Sequence, residues 1–186
     1  MPSALRSGFT LLELIVALAV MLVLAAAVAP NILGRLDRIR VERGRDALEE
    51  LRAAIVLFEE DVGAYPGRLT QLVEQISQGE PNSCGQGYKK AEADRWDGPY
   101  LARVIPGSGL PVAIGTANVV LERQPVGGQN ARLKIVVDDV SVGDAADLDE
   151  LVDGGDGAAS GGVEWVAVPG SSDLVTVKYV IPVRGC

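Results

Sequence analysis

The chain has 186 residues, 25 Asp and Glu against 17 Lys and Arg, and a net charge of −8 at pH 7. A surface of that sign does not gather nucleic acid, which needs clustered cations to neutralise phosphates. There is no histidine, so a His-dependent triad or zinc centre is excluded; no nucleophile–base pair or phosphate-cradling glycine loop is present either, and the sequence predicts a protein that is not an enzyme.

Residues 1–8 (MPSALRSG) carry one base and no apolar run of their own. From Phe9 the chain is apolar to residue 29, with only Thr10 and Glu13 as polar members of these 21 residues. That matches the ~20 residues that span a bilayer as a helix. A secretory signal places its hydrophobic stretch before the cleavage site; here the small residue, Gly8, comes first. A carboxylate near one end of such a segment costs at least ~2.5–3.5 kcal/mol on insertion scales and marks a functional site unless it snorkels to the interface. Pro30 and Gly34 are weak points of the helix, where a bend or local melting is expected. Arg35, Arg38, Arg40, Arg43 and Arg45 follow, offset by Asp37, Glu42 and Asp46, while the leader offers only Arg6. Counted alone, these bases place the large domain in the cytoplasm.

Beyond the span the helical pattern continues through 31–62. Val41, Gly44, Leu48, Leu51, Ile55, Phe58 and Val62 step by three and four and trace one apolar stripe among charged residues. Gly63 suits the C′ position and Pro66 forbids continuation. Residues 69–76 have a short helical pattern, and 79–99 read as an irregular loop containing Cys84. After Pro111 the period falls to two: 117–124 and 131–138 flank Val126-Gly127-Gly128-Gln129-Asn130 as a hairpin. Further strands are predicted over 163–168 and 174–183, with Pro182 demoting the end of the last one to an edge or bulge. Helix first and strands after predicts an α+β fold, with an antiparallel sheet packed on the second half of the helix and a head formed by 63–186.

The stretch Gly8-Phe9-Thr10-Leu11-Leu12-Glu13, with Pro30 further on, resembles the type III signal of type IV pilins and type II secretion pseudopilins. The resemblance implies a pilin-like fold and a prepilin peptidase that cuts between Gly8 and Phe9 and methylates the new amine of Phe9. It implies a transmembrane and polymerisation helix over 9–30, a single pass through the bacterial inner membrane with the head in the periplasm, and partners in an inner-membrane assembly platform. That orientation opposes the arginine count. A cut after Gly8 leaves a cationic amine one helical turn before Glu13. Between parallel helices the amine of one subunit can meet the carboxylate of the next, neutralising two charges that are costly alone in lipid and fixing the axial register.

Two head segments narrow the resemblance. Asp61-Val62-Gly63-Ala64-Tyr65-Pro66 is similar to the D-x-G-x-Y-P stretch of major pseudopilins. Arg95-Trp96-Asp97-Gly98-Pro99-Tyr100 is similar to their W-G-x-P-Y loop, with the glycine displaced by one. Trp96 and Tyr100 are expected to cover the core edge around a Gly98-Pro99 turn.

Cys84 and the terminal Cys186 admit two readings: unrelated thiols, or in an oxidising compartment a disulfide that pins the chain end at up to ~4–5 kcal/mol. Asp138, Asp139, Asp144, Asp147, Asp149, Glu150, Asp153 and Asp156 are eight acids in 19 residues, with Gly154, Gly155, Gly157, Gly161 and Gly162 among or after them. Clustered oxygens and permissive glycines suit calcium, and so does similarity of this segment to a calcium-binding region of major pseudopilins; Asp149, Asp153 and Asp156 are the best candidates. A solvated acidic loop is the alternative. The expected function is that of a structural subunit of a homopolymeric filament, a pseudopilin driving export through a type II secretion system. The alternative is a type IV pilin or minor pilin of a surface or DNA-uptake pilus.

Overall fold

The computed structural model describes residues 10–126 and 130–183, and the chain divides into two units, 1–38 and 39–186. In the first, helix α1 (Leu11–Val62) begins. Thr10 caps it: the hydroxyl accepts the Glu13 N–H at 3.3 Å, satisfying one of the donors that a helix start leaves without a carbonyl. Every described side chain from 11 to 26 is exposed, Leu22 at 71% of its surface. An apolar surface of this extent marks contact with lipid or protein. Among the described residues no helix is long and apolar enough to cross a membrane. Of the predicted span, however, Phe9 and the side chains of 27–30 lie outside the described residues. The helix continues through positions 30 and 34 instead of breaking there. The side chains of Pro30 and Gly34 lie outside the described residues.

In the second unit the rest of α1 buries the predicted stripe, with Val41, Leu48, Leu51, Ile55, Phe58 and Val62 all fully covered. Gly44 belongs to it because a Cβ there would meet the Ile114 side chain at 2.9 Å. These residues share one core with a five-stranded antiparallel sheet. Its strands are β1 (Leu110–Val112), β2 (Gly115–Val126), β3 (Asn130–Ser141), β4 (Val163–Ala167) and β5 (Leu174–Val183). They lie in the order β1-β2-β3-β5-β4. The hairpin closes at Val126↔Asn130, and residues 127–129 lie outside the described residues. Leu133, Ile135 and Val137 of β3, and Val177, Tyr179 and Ile181 of β5, turn into the core at every second position. Pro182 pairs with Arg132 of β3, beyond the reach of β4, which ends its pairing at Tyr179. Its missing N–H falls at an edge, as expected.

On the other side of the strands, Lys134 of β3 is 3% exposed. Its Nζ donates to Glu164 of β4 at 2.6 Å, and Arg132 stands 3.7 Å from the same carboxylate. The contact crosses β5, which lies between the two strands.

Three segments differ from expectation. Residues 69–76 form only a 3₁₀ turn, Leu69–Leu72, because Val73 already departs from helical dihedrals with a φ of −122°. The 79–99 loop holds a short helix α2 (Lys90–Ala93), whose start is fixed by the Glu92 carboxylate accepting the Lys89 N–H at 2.8 Å. The acidic stretch is not a loop: Val142–Asp153 is a helix, α3. Ser141 is both the last residue of β3 and the N-cap of α3, its hydroxyl accepting the Asp144 N–H at 3.1 Å. Gly154, at φ +83°, ends the helix in a left-handed cap.

The Trp96–Tyr100 segment covers the core as expected. Trp96 Nε1 donates to the Gln71 carbonyl at 3.0 Å, and Tyr100 packs edge-on against Trp96 and Phe58 with centroids 5.7 and 5.4 Å apart. Arg95 clamps the end of α1. Its Nε donates to the Asp61 carbonyl at 3.0 Å and Nη2 to the Val62 carbonyl, supplying a cation to a helix with no base in its last turn.

Candidate functional site

The described candidate residues fall in two places. The first is the start of α1. Glu13 is exposed in the first helical turn, where a carboxylate is favoured by the helix dipole and where Thr10 holds the backbone. Gly8 and Phe9 lie outside the described residues.

The second is the C-terminal end of α3. Asp149 and Asp153 are one turn apart on that helix, and Asp156 follows its glycine cap. One carboxylate oxygen from each lies within 4.8 Å of the others. Asp149 and Asp153, at i and i+4, share a helical face, whereas Asp156 lies past the left-handed cap at Gly154. The backbone does the rest. Asp149 Oδ2 accepts the Gly157 N–H at 3.0 Å, and Asp153 Oδ2 accepts those of Gly162 and Val163, the latter at 3.2 Å. The loop 154–162 is thereby drawn round the carboxylates. Gly161, at φ +85°, closes it, and a Cβ there would collide with Asp153 and lie 2.6 and 2.7 Å from the Asp156 oxygens.

The cluster fits a hard cation. Asp149 is 3% exposed, yet its Oδ1 and that of Asp153 are buried with no hydrogen-bond partner. Orphaned anionic oxygens are expensive, and a calcium ion, which takes six to eight oxygens in flexible geometry, removes that cost. Burial pushes the Asp149 carboxyl above its ordinary range, with Asp153 and Asp156 adding to the rise and the Gly157 N–H opposing it.

Sequence reasoning named Gly161 only as one of five permissive glycines, and it missed Ser141 and an ion pair between α1 and α3. In that pair Arg40 donates to both oxygens of Asp144 at 2.7 and 2.9 Å. The bracket Ser141-x-x-Asp144 with apolar 145, 148, 151 and 152 before Gly154 was a helix signal; nothing in the sequence signals a contact across 104 residues. Cys84 is partly exposed, and no free cysteine is found among the described residues. Cys186 lies outside them.

Comparison with known proteins matches residues 4–29 to the prokaryotic N-terminal methylation motif and residues 31–117 to the type II secretion system protein G family. The type II secretion system core protein G of Pseudomonas aeruginosa is 33% identical over 101 residues, covering 51% of this chain and 71% of the relative. That of Escherichia coli is 32% identical over 108 residues, covering 55% and 74%. That of Vibrio cholerae is 29% identical over 100 residues, covering 51% and 68%. No solved structure matches. The acidic cluster lies beyond the residues of the family match.

Proposed function

The chain belongs to the family of type II secretion system protein G, and on that premise we propose that it is made as a precursor, stored in the bacterial inner membrane and drawn into a filament that drives protein export. It is a pseudopilin, a structural subunit of that system. The carrying observation is order: a methylation motif over 4–29 runs straight into a protein G match over 31–117. The surface-pilin alternative is not favoured, since the matched relatives are secretion-system proteins.

Prepilin peptidase removes residues 1–8 and methylates Phe9, and the assembly platform takes up the mature subunit. The motif match supports this processing. The exposed apolar face over 11–26 supports storage of the helix in lipid before assembly and against neighbouring subunits after it. The head lies in the periplasm, where Cys84 and Cys186 pair; the absence of a free cysteine among the described residues supports the bridge. Calcium is held by Asp149, Asp153 and Asp156, supported by their convergence and two buried, unpartnered oxygens.

Intact mass of the chain purified from a host with prepilin peptidase tests the processing. The expected species lacks residues 1–8, gains one methyl and loses two hydrogens to the bridge. A full-length, unmethylated chain would overturn it. Deleting the gene in its own host should abolish type II export and leave surface fibres unchanged; loss of fibres with export intact would restore the pilin alternative.

A further inference from the structure

We infer that Arg40 is a positioning residue for the carboxylate cluster, acting through Asp144 and the rigid body of α3. The inference rests on the cluster being a calcium site. Its own observation is the α1–α3 ion pair. One guanidinium nitrogen of Arg40 reaches both oxygens of Asp144, whose side chain is 9% exposed while that of Arg40 is 47% exposed. Asp144 stands in the first turn of α3, and Asp149 and Asp153 stand in its second half. Ala145 and Leu148, between them, are fully buried in the core.

α3 carries five acids and no base. Its charges are matched from outside: a cation from α1 at the first turn and a metal ion at the last. From Asp144 to Asp149 is ~7.5 Å along the axis at 1.5 Å per residue, and a helix of three turns does not stretch over that distance. A displacement of α3 that gathers Asp149 and Asp153 round an ion is therefore felt at Asp144. Arg40 fixes where that end can sit. By reciprocity, an ion at the cluster tightens the grip of Arg40, and removing Arg40 weakens the ion by the same factor. α1, the helix of assembly, thus senses the occupancy of a site formed wholly by α3 and its following loop.

The experiment uses the full chain in detergent micelles, titrated with calcium, as unaltered protein, Arg40→Met and Arg40→Lys. Calcium is expected to bind Arg40→Met about fivefold more weakly, the low end of typical site-to-site coupling, with Arg40→Lys in between. Hydrogen exchange around Arg40 should slow on adding calcium to the unaltered chain. A structural role alone would lower Tm equally with and without calcium and leave the affinity unmoved; that result overturns the inference. If Arg40→Met does not fold, the exchange measurement decides, and no change near Arg40 overturns it. Absence of calcium binding to the unaltered chain removes the site and the coupling together, whereas unchanged affinity in Arg40→Met removes the coupling alone.

Discussion

Glu13 is the third residue of α1, and two separate forces act on it. In the isolated subunit Thr10 caps the backbone and the helix dipole favours a carboxylate, worth about 0.3–1 kcal/mol at an exposed site. In lipid the same charge is costly until it meets a cation. We propose the freed amine of a neighbouring Phe9 as that cation, so Glu13→Ala should leave membrane insertion intact and abolish filaments. Membrane fractionation with electron microscopy checks both, and normal filaments in the variant would remove the register role. Gly161 is the corresponding residue at the cluster. A methyl group there would strike Asp153 and Asp156, so Gly161→Ala should weaken calcium by about 10–100-fold, as loss of a supporting contact does at metal sites. Calorimetric titration reads it directly. Proton competition belongs to this scale as well. Burial raises the Asp149 carboxyl, so the folded chain keeps a proton that the unfolded chain has released. That stability is present below the ordinary carboxylate range and lost as pH rises through the raised value. In chelator, therefore, the Tm of the unaltered protein minus that of Asp149→Asn should increase as pH falls from neutral into that window. A flat difference would contradict the assignment.

Among the elements, α1 was legible almost residue by residue, because a stripe at 41, 44, 48, 51, 55, 58 and 62 has only one periodicity to obey. β5 was legible too, bounded by the turn residues before Leu174. β1 was not: three residues containing Pro111 carry no alternation to detect. α3 was lost for a different reason. Five acids in a twelve-residue helix read as an acidic loop, calcium-binding or solvated, and the capping residues that bracket them went unread. The candidate site was half legible. The spacing of Asp149, Asp153 and Asp156 is local, whereas the loop that folds back on them, and Arg40 beside Asp144, depend on tertiary packing. The end of α1 shows the same division. Gly63 announces the stop, but the cation that complements it comes from Arg95, 34 residues beyond Asp61. Arg95→Met should cost about 1–2 kcal/mol from lost charged hydrogen bonds, lowering Tm by about 4 °C. Thermal melting checks this, and an unchanged Tm would show the clamp to be ornamental.

At the scale of the molecule, the first unit presents an exposed apolar helix and the second a closed core, so stability and assembly are assigned to different parts of the chain. The net charge of −8 makes separate subunits repel one another. One contact in the head bears on mechanics. Glu164 of edge strand β4 is gripped from across β5 by the nearly buried Lys134, with Arg132 alongside. An edge strand under tension peels away one backbone bond at a time. Here the first tug must also draw a carboxylate off a desolvated ammonium two strands inward, so the load passes to the middle of the sheet. The margin that a sheet would surrender first thereby becomes one of its stiffer seams.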